Sequence, residues 1–135
     1  MSDHTSPIDS FLDALDRQDG TAIASLLSAE VAYDPGFGDR IIGASAVRDT
    51  LIERATALKE RHGDRLFLAS DDGSRVAAEV TLRGIYDMSL PQFGPAEGQS
   101  YSVPAVLVAE MEGGRISRLS RYLDQDRFHA ALGED

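Results

Sequence analysis

The sequence predicts a single α+β domain, and two observations support this fold class. Apolar residues recur at helical spacing in the first half of the 135-residue chain and at strand spacing after Gly63. No internal repeat or linker divides the chain, so we expect one domain over residues 1–135. Helices followed by antiparallel strands favour a fold in which the helices pack on one face of the sheet.

Three helices are predicted before Gly63. The apolar stripe of the first helix consists of Ile8, Phe11, Leu12 and Leu15. This helix should end near Gln18, and Asp19 or Thr21 can cap a short second helix. The third helix is predicted over residues 44–62, with Gly63 as its C-terminal stop.

Five strands are predicted from apolar and polar alternation. They lie at residues 31–33, 65–70, 76–82, 101–111 and 116–123. Turn-forming clusters at residues 71–74 and 112–114 predict two hairpins, whereas residues 87–99 are rich in Pro, Gly and Gln and should be irregular. The last strands should therefore form an antiparallel meander.

Charge and composition exclude several classes of partner. The formal net charge is −10, which opposes binding to nucleic acid and to anionic membrane surfaces. No apolar run approaches the ~18 residues that a membrane helix needs, and the first ten residues lack the pattern of a signal peptide. The chain has no cysteine, which fits a reducing compartment. We therefore expect a cytoplasmic protein.

Three segments carry more specific patterns. Residues 94–105 read Gly-Pro-Ala-Glu-Gly-Gln-Ser-Tyr-Ser-Val-Pro-Ala, residues 71–79 contain Asp-Gly-Ser-Arg-Val-Ala-Ala-Glu, and residues 114–118 read Gly-Arg-Ile-Ser-Arg. These segments closely resemble ketosteroid-isomerase-related proteins of the NTF2-like (SnoaL-like) superfamily. The resemblance covers about residues 8–130 and implies a cone-shaped, cystatin-like fold. In such a fold, three N-terminal helices pack on a curved antiparallel sheet around an apolar pocket, and members often form dimers through the outer sheet face.

The resemblance places Asp34 on the proton-shuttling carboxylate of this family. Asp34 ends the predicted first strand, directly before Pro35. An apolar surround disfavours the charged form of a carboxyl group, so we expect Asp34 to have a pKa above the reference value of ~3.9 and to act as a base. Considered by residue type alone, Asp34 and Pro35 could simply turn the chain.

Two positions depart from the pattern of ketosteroid isomerases. The resemblance matches Phe11 and Val106 to the Tyr and the protonated Asp that donate hydrogen bonds to the enolate. Neither side chain can donate a hydrogen bond. Steroid isomerisation should therefore be weak or absent.

Asp124 is the second candidate catalytic residue, because SnoaL-like cyclases have a similar acidic residue at the end of the last strand. Strand alternation puts Tyr122 and Asp124 on one face, and both would enter the pocket if that face is concave. Alternatively, Asp124 begins a solvated, charged segment. Arg121 is an odd number of positions from Asp124, so it falls on the other face of the strand and is expected at the surface.

The predicted pocket wall consists of Phe11, Leu51, Tyr86, Tyr101, Val106 and Tyr122. Tyr86 and Tyr101 could supply a missing hydroxyl donor, or they could only pack. His62 is expected to be exposed at a helix end. The three histidines lack metal-ligand spacing, and dinucleotide, P-loop and nucleophile-elbow motifs are missing, so we expect neither a metal nor a cofactor.

Two functions remain open. The first is a cofactor-independent enzyme that transfers a proton on a small apolar molecule of steroid, polyketide or terpenoid type, with Asp34 as base and Asp124 in reserve. The second is a non-catalytic module that binds a hydrophobic ligand or dimerises. Because the strand at residues 101–111 is apolar on both faces, we also expect a homodimer.

Overall fold

The computed structural model describes residues 3–133 and has the predicted order of elements. Its helices are α1 (Ser6–Asp16), α2 (Gly20–Ser25), α3 (Ala44–Leu58) and α4 (Gln125–Ala131). Its strands are β1 (Leu27–Asp34), β2 (Ile41–Ile42), β3 (Arg61–Ala69), β4 (Arg75–Tyr86), β5 (Gln99–Glu112) and β6 (Arg115–Leu123). A single 3₁₀ turn, Pro91–Phe93, lies in the predicted irregular segment. The α+β fold class is confirmed, although α4 and β2 were not predicted.

The six strands form one sheet in the order β2-β1-β6-β5-β4-β3. All neighbouring strands are antiparallel except β1 and β6, which are parallel. In this pairing Tyr33 lies opposite Leu119, and Asp34 lies opposite Ser120. The end of the first strand is therefore fixed against the last strand.

Alternate residues of the sheet face the helices. The inner face of β5 presents the buried residues Val103, Ala105, Leu107 and Ala109. Helix α1 contributes the predicted apolar stripe, and all four of its residues are buried. Val106 and Val108 point to the opposite, outer face and are only partly buried. The core thus lies between the inner face and the helices.

Helix α3 ends earlier than predicted, at Leu58 rather than at residue 62. Lys59 adopts the left-handed conformation (φ 46°) and turns the chain toward the core. The helix end packs tightly on β4, because a Cβ atom on Gly84 would lie 2.3 Å from the Leu58 carbonyl oxygen. The expected stop at Gly63 was wrong, since Gly63 lies within β3.

His62 is buried in β3 and is not at an exposed helix end, as had been expected. Its Nδ1 lies 2.8 Å from Oδ1 of Asp16, and its backbone N–H donates to the same oxygen. Asp16 also accepts a hydrogen bond from Arg65. These contacts join the end of α1 to β3.

Across residues 3–133, no helix combines the length and apolar character needed to cross a bilayer.

Candidate functional site

A cavity of about 270 Å³ lies between α3, the end of β1 and the segment around the 3₁₀ turn. Its apolar lining includes Tyr33, Pro35, Phe37, Ile41, Leu90 and Phe93. Its polar lining includes Asp39, Thr50, Glu53, Gln92 and Arg54. We call it the Tyr33 cavity. Its volume is slightly below the ~300 Å³ at which small-molecule sites usually begin, so it fits a compact ligand.

Tyr33 is held in place by a buried arginine. Strand alternation in β1 points Tyr33 inward, where it is 1% exposed. Nε of Arg121, on the neighbouring strand β6, donates to the Tyr33 hydroxyl oxygen at 3.2 Å. Since this oxygen accepts a hydrogen bond from a cation, the hydroxyl proton remains for another acceptor. Within residues 3–133, no protein atom accepts it.

Glu60 joins two arginines behind the cavity. Its Oε2 accepts from Nη1 of Arg121 and from Nε of Arg54, each at 3.1 Å. The guanidinium carbon of Arg54 also lies 5.9 Å and 5.3 Å from the ring centres of Phe93 and Phe128, within the range of cation–π attraction. The site therefore contains a connected network of Tyr33, Arg121, Glu60 and Arg54.

This network is charged despite its burial. Burial opposes ionisation of Glu60, but the positive charges of Arg54 and Arg121 outweigh it and lower the pKa of Glu60 to about 2. Burial also opposes the charged form of Arg121, but Tyr33 and Glu60 outweigh this effect and raise the pKa of Arg121. Near neutral pH the network consists of two guanidinium cations and one carboxylate.

The comparisons with known proteins agree with this architecture. A family model described as the SnoaL-like domain matches residues 8–119. The chain belongs to the SnoaL-like family. A comparison with curated proteins found no match.

Solved structures resemble this SnoaL-like chain over nearly its whole length. A candidate polyketide cyclase from Xanthomonas campestris pv. campestris has a TM-score of 0.90 and 28% identity, and the match covers 96% of each chain. A candidate polyketide cyclase from Pseudomonas putida KT2440 has a TM-score of 0.91 and 27% identity, over 97% of this chain and 98% of that one. An LEH-like epoxide hydrolase from M. tuberculosis has a TM-score of 0.76 and 21% identity, over 96% and 88%. The predicted NTF2-like (SnoaL-like) fold is thus confirmed, with α4 as an additional helix.

Asp34 does not enter the Tyr33 cavity. It follows the inward-facing Tyr33 in β1 and therefore lies on the outer face of the sheet, where Ser120 is its neighbour. Arg40 binds both carboxylate oxygens of Asp34, at 2.7 Å and 2.9 Å. These hydrogen bonds lower the pKa of Asp34, so the expectation of a raised pKa was wrong. The pKa is lowered because Arg40, six residues further along the sequence, is brought back to the end of β1 by the intervening loop.

The second candidate acid, Asp124, is the N-cap of α4. Its Oδ1 accepts a hydrogen bond from the backbone N–H of Arg127 at 3.1 Å, and its side chain is exposed. Tyr122 is 56% exposed on the outer face, beside Val106. Tyr122 and Val106 thus lie on the face of the sheet that the helices do not cover, and neither of these two residues lines the Tyr33 cavity.

The other predicted pocket residues are part of the core. Phe11 and Leu51 are buried in the packing between helices and sheet. The Tyr86 hydroxyl contacts the backbone of Leu90 and Gly94, and the Tyr101 hydroxyl donates to the Leu58 carbonyl oxygen at 2.8 Å. Burial and the negative charge of Glu60 raise the pKa of Tyr101, which therefore stays protonated. Both hydroxyl groups thus anchor backbone segments.

Sequence reasoning missed the four residues of the charged network. Arg121 was expected at the surface, but it is 1% exposed. It lies two positions from both Leu119 and Leu123 in β6 and therefore shares their inner face of the sheet. Arg54 follows Leu51 by three positions and thus shares the buried stripe of α3. The sequence spacing thus indicated an inward position for Arg121 and for Arg54, but charged residues are usually exposed, and both were therefore predicted to face solvent. Glu60 had no such signal, because it lies in the turn after α3.

Larger depressions occur on the outer surface. One of about 460 Å³ is lined by Glu79, Thr81, Val106 and Tyr122, among others. It is more open to solvent than the Tyr33 cavity, and no buried polar side chains converge on it. Among the described residues, no three His, Asp or Glu side chains form a group that could hold a metal ion. We therefore assign the candidate site to the Tyr33 cavity.

Proposed function

We propose that this SnoaL-like protein is a cofactor-independent enzyme that transfers a proton on a compact, largely apolar carbonyl compound in the Tyr33 cavity. Structural neighbours described as candidate polyketide cyclases and as an epoxide hydrolase support small-molecule chemistry. The observation that carries the proposal is Tyr33, a lining residue of the cavity whose hydroxyl oxygen accepts a hydrogen bond from Arg121. The small volume of this cavity favours a compact substrate over a large one.

Two residues that line this cavity, Tyr33 and Arg54, carry hydrogen-bond donors that suit such a reaction. When a base removes a proton next to a carbonyl group, the electron pair of the C–H bond moves onto the carbonyl oxygen. The Tyr33 hydroxyl and the N–H groups of Arg54 can donate hydrogen bonds to this oxygen. Such donors stabilise the charge that develops in the transition state, and each typically contributes 10²- to 10³-fold to the rate.

The base must be a carboxylate that reaches the cavity. Glu60 is a weak candidate, because its lowered pKa makes it a poor proton acceptor. Asp39 and Glu53 both line the cavity and are the candidates that we propose. Return of the proton to a different carbon would complete an isomerisation. In a cyclisation, the enolate carbon would instead attack a second carbonyl carbon, whose oxygen takes the electron pair of its C=O bond and then receives the proton from the base.

A non-catalytic ligand-binding module is the second candidate function. It is favoured by the positions of Asp34 and Asp124, the two acids predicted for catalysis, which both lie outside the cavity. In such a module the same donors would bind a ligand oxygen without any proton transfer.

Deuterium exchange distinguishes the two functions without knowledge of the product. The protein is incubated in D₂O with a panel of small cyclic and aromatic ketones, and NMR follows deuterium incorporation next to the carbonyl group. We expect exchange with at least one compound and a loss of about 10²- to 10³-fold in Tyr33→Phe. Tyr122→Phe, which changes an exposed tyrosine on the outer face, is the matched control and should exchange normally. Compounds that bind but never exchange would refute the enzyme and favour the binding module.

A further inference from the structure

The charges behind the Tyr33 cavity do not balance. Arg54 and Arg121 share one oxygen of Glu60, so two cations face one carboxylate. The neighbouring His62 carries no negative charge. Asp16, which contacts His62, does not contact either arginine of the network and instead shares Arg65 with two other carboxylates of α1, Asp9 and Asp13. The network therefore carries an excess of one positive charge in a region that water does not screen well.

Both arginines also have a terminal nitrogen without a protein acceptor. Nη2 of Arg54 and Nη2 of Arg121 are buried, and neither donates to any atom in residues 3–133. Arg121 is almost completely buried, and Arg54, whose side chain is 16% exposed, lines the cavity itself. A buried donor that has lost its water and has no acceptor costs free energy, so these groups favour a ligand that brings acceptor oxygens.

We propose that the Tyr33 cavity takes its ligand as an anion, a compact apolar molecule with a carboxylate group that binds the guanidinium of Arg54 and is attracted by the charge of Arg121. The planar guanidinium group matches a carboxylate in geometry as well as in charge. The apolar lining would contact the remainder of the ligand. This inference rests on the site of the proposed function and specifies its substrate class.

The carboxylates at the edge of the cavity do not cancel this attraction. Asp39 and Glu53 line the cavity, but both side chains are exposed to solvent. Water and salt screen exposed charges strongly, whereas the buried guanidinium groups interact in a less polar environment. The net charge of −10 will slow the approach of an anion at low salt without changing the contacts that it makes when bound.

The test compares matched acids and amides of the same shape. Isothermal titration calorimetry at pH 7 in low-chloride buffer measures the binding of benzoate and benzamide, and of cyclohexanecarboxylate and cyclohexanecarboxamide. We expect each acid to bind about 10- to 100-fold more tightly than its amide, as is typical of charge-assisted hydrogen bonds. In Arg54→Met this preference should disappear. Arg48→Met removes a partly exposed arginine from the same helix, outside the lining of the cavity, and should keep the preference.

Four results would count against the inference. Equal binding of acid and amide by the unmodified protein, or no binding of either at millimolar concentration, would overturn it without any need for a variant. An acid preference that survives in Arg54→Met would show that the anion binds elsewhere. Chloride or phosphate that binds as tightly as the organic acids would indicate a site for an inorganic ion only. Anion binding without deuterium exchange would refute the proposed enzyme and leave this inference standing. Deuterium exchange without a preference for the acid would refute this inference and leave the proposed enzyme standing.

Discussion

Replacing Glu60 by glutamine removes the carboxylate that both Arg54 and Arg121 contact, while the size of the side chain is kept. Two buried guanidinium cations are then left without a counter-charge. Removing one partner of a buried ion pair typically costs about 3 to 5 kcal/mol. The pKa of Glu60 gives a similar figure, because a shift from 4.5 to about 2 corresponds to about 3 kcal/mol at about 1.4 kcal/mol per unit.

These values predict a clear change in thermal stability. At about 2.1 cal/mol/K per residue, the unfolding entropy of 135 residues is about 0.28 kcal/mol/K. A loss of about 3 kcal/mol should therefore lower the Tm by about 10 °C in Glu60→Gln, measured by circular dichroism at pH 7. Asp64→Asn is the matched control, since Asp64 pairs with Arg83 at the exposed surface and its replacement should leave the Tm nearly unchanged.

The same variant should also change the response to acid. The pKa of Glu60 is lower in the folded state than in the unfolded chain, so its contribution is complete above the unfolded value of 4.5 and is lost as the pH falls toward 2. Between pH 6 and pH 3, about 2 kcal/mol of this contribution should disappear in the unmodified protein and none of it in Glu60→Gln. Equal losses of stability in the two proteins over this range, or a Tm at pH 7 that Glu60→Gln leaves unchanged, would refute our account of the network.

Three further predictions concern the outer face and the family chemistry. Asp34→Asn should leave stability and ligand affinity in the Tyr33 cavity nearly unchanged, because it removes only a partly exposed ion pair with Arg40. A selective loss of turnover in this variant would restore Asp34 as the base. Light scattering at micromolar concentration should show a homodimer, since Tyr122, Leu66 and Leu68 are exposed on the sheet, and a species of only 14.6 kDa would contradict this. Isomerisation of a 5-ene-3-ketosteroid, followed by ultraviolet absorbance, should be at least ~100-fold slower than in a true isomerase, and a rate typical of that family would show that other donors act.

The helices and hairpins could be predicted because local patterns determine them. The stripe of α1, the cap of α2 at Asp19 and the turn at residues 71–74 each depend on residues that are close in sequence. The end of α3 was predicted wrongly from the local pattern, because the expected stop, Gly63, lies inside β3. The chain leaves the helix at Lys59, and the next residue, Glu60, contacts Arg54 and Arg121.

The site was harder to predict than the fold for a related reason. On β1, alternation alone places Val31 and Tyr33 on one face and Asp34 on the other, and the structure follows this rule. The resemblance to ketosteroid isomerases instead directed attention to Asp34. Burial of Arg121 contradicts the usual exposure of arginine, and its partners Tyr33 and Glu60 lie 88 and 61 residues away in sequence. No local pattern could reveal that these three residues meet.

The parallel pairing of β1 with β6 has a consequence for how the protein folds during synthesis. β6 lies between β1 and β5 in the sheet, so a nascent chain that ends before β6 has its strands in two unconnected groups. Tyr33, Arg54 and Glu60 are all made before Arg121, and until Arg121 arrives the carboxylate has one cation and the tyrosine has none. Closing loops of this length costs entropy before the contacts can form, which slows folding. The arrangement of Tyr33, Glu60 and Arg54 behind the cavity should therefore be completed only after β6 has been made and has paired with β1.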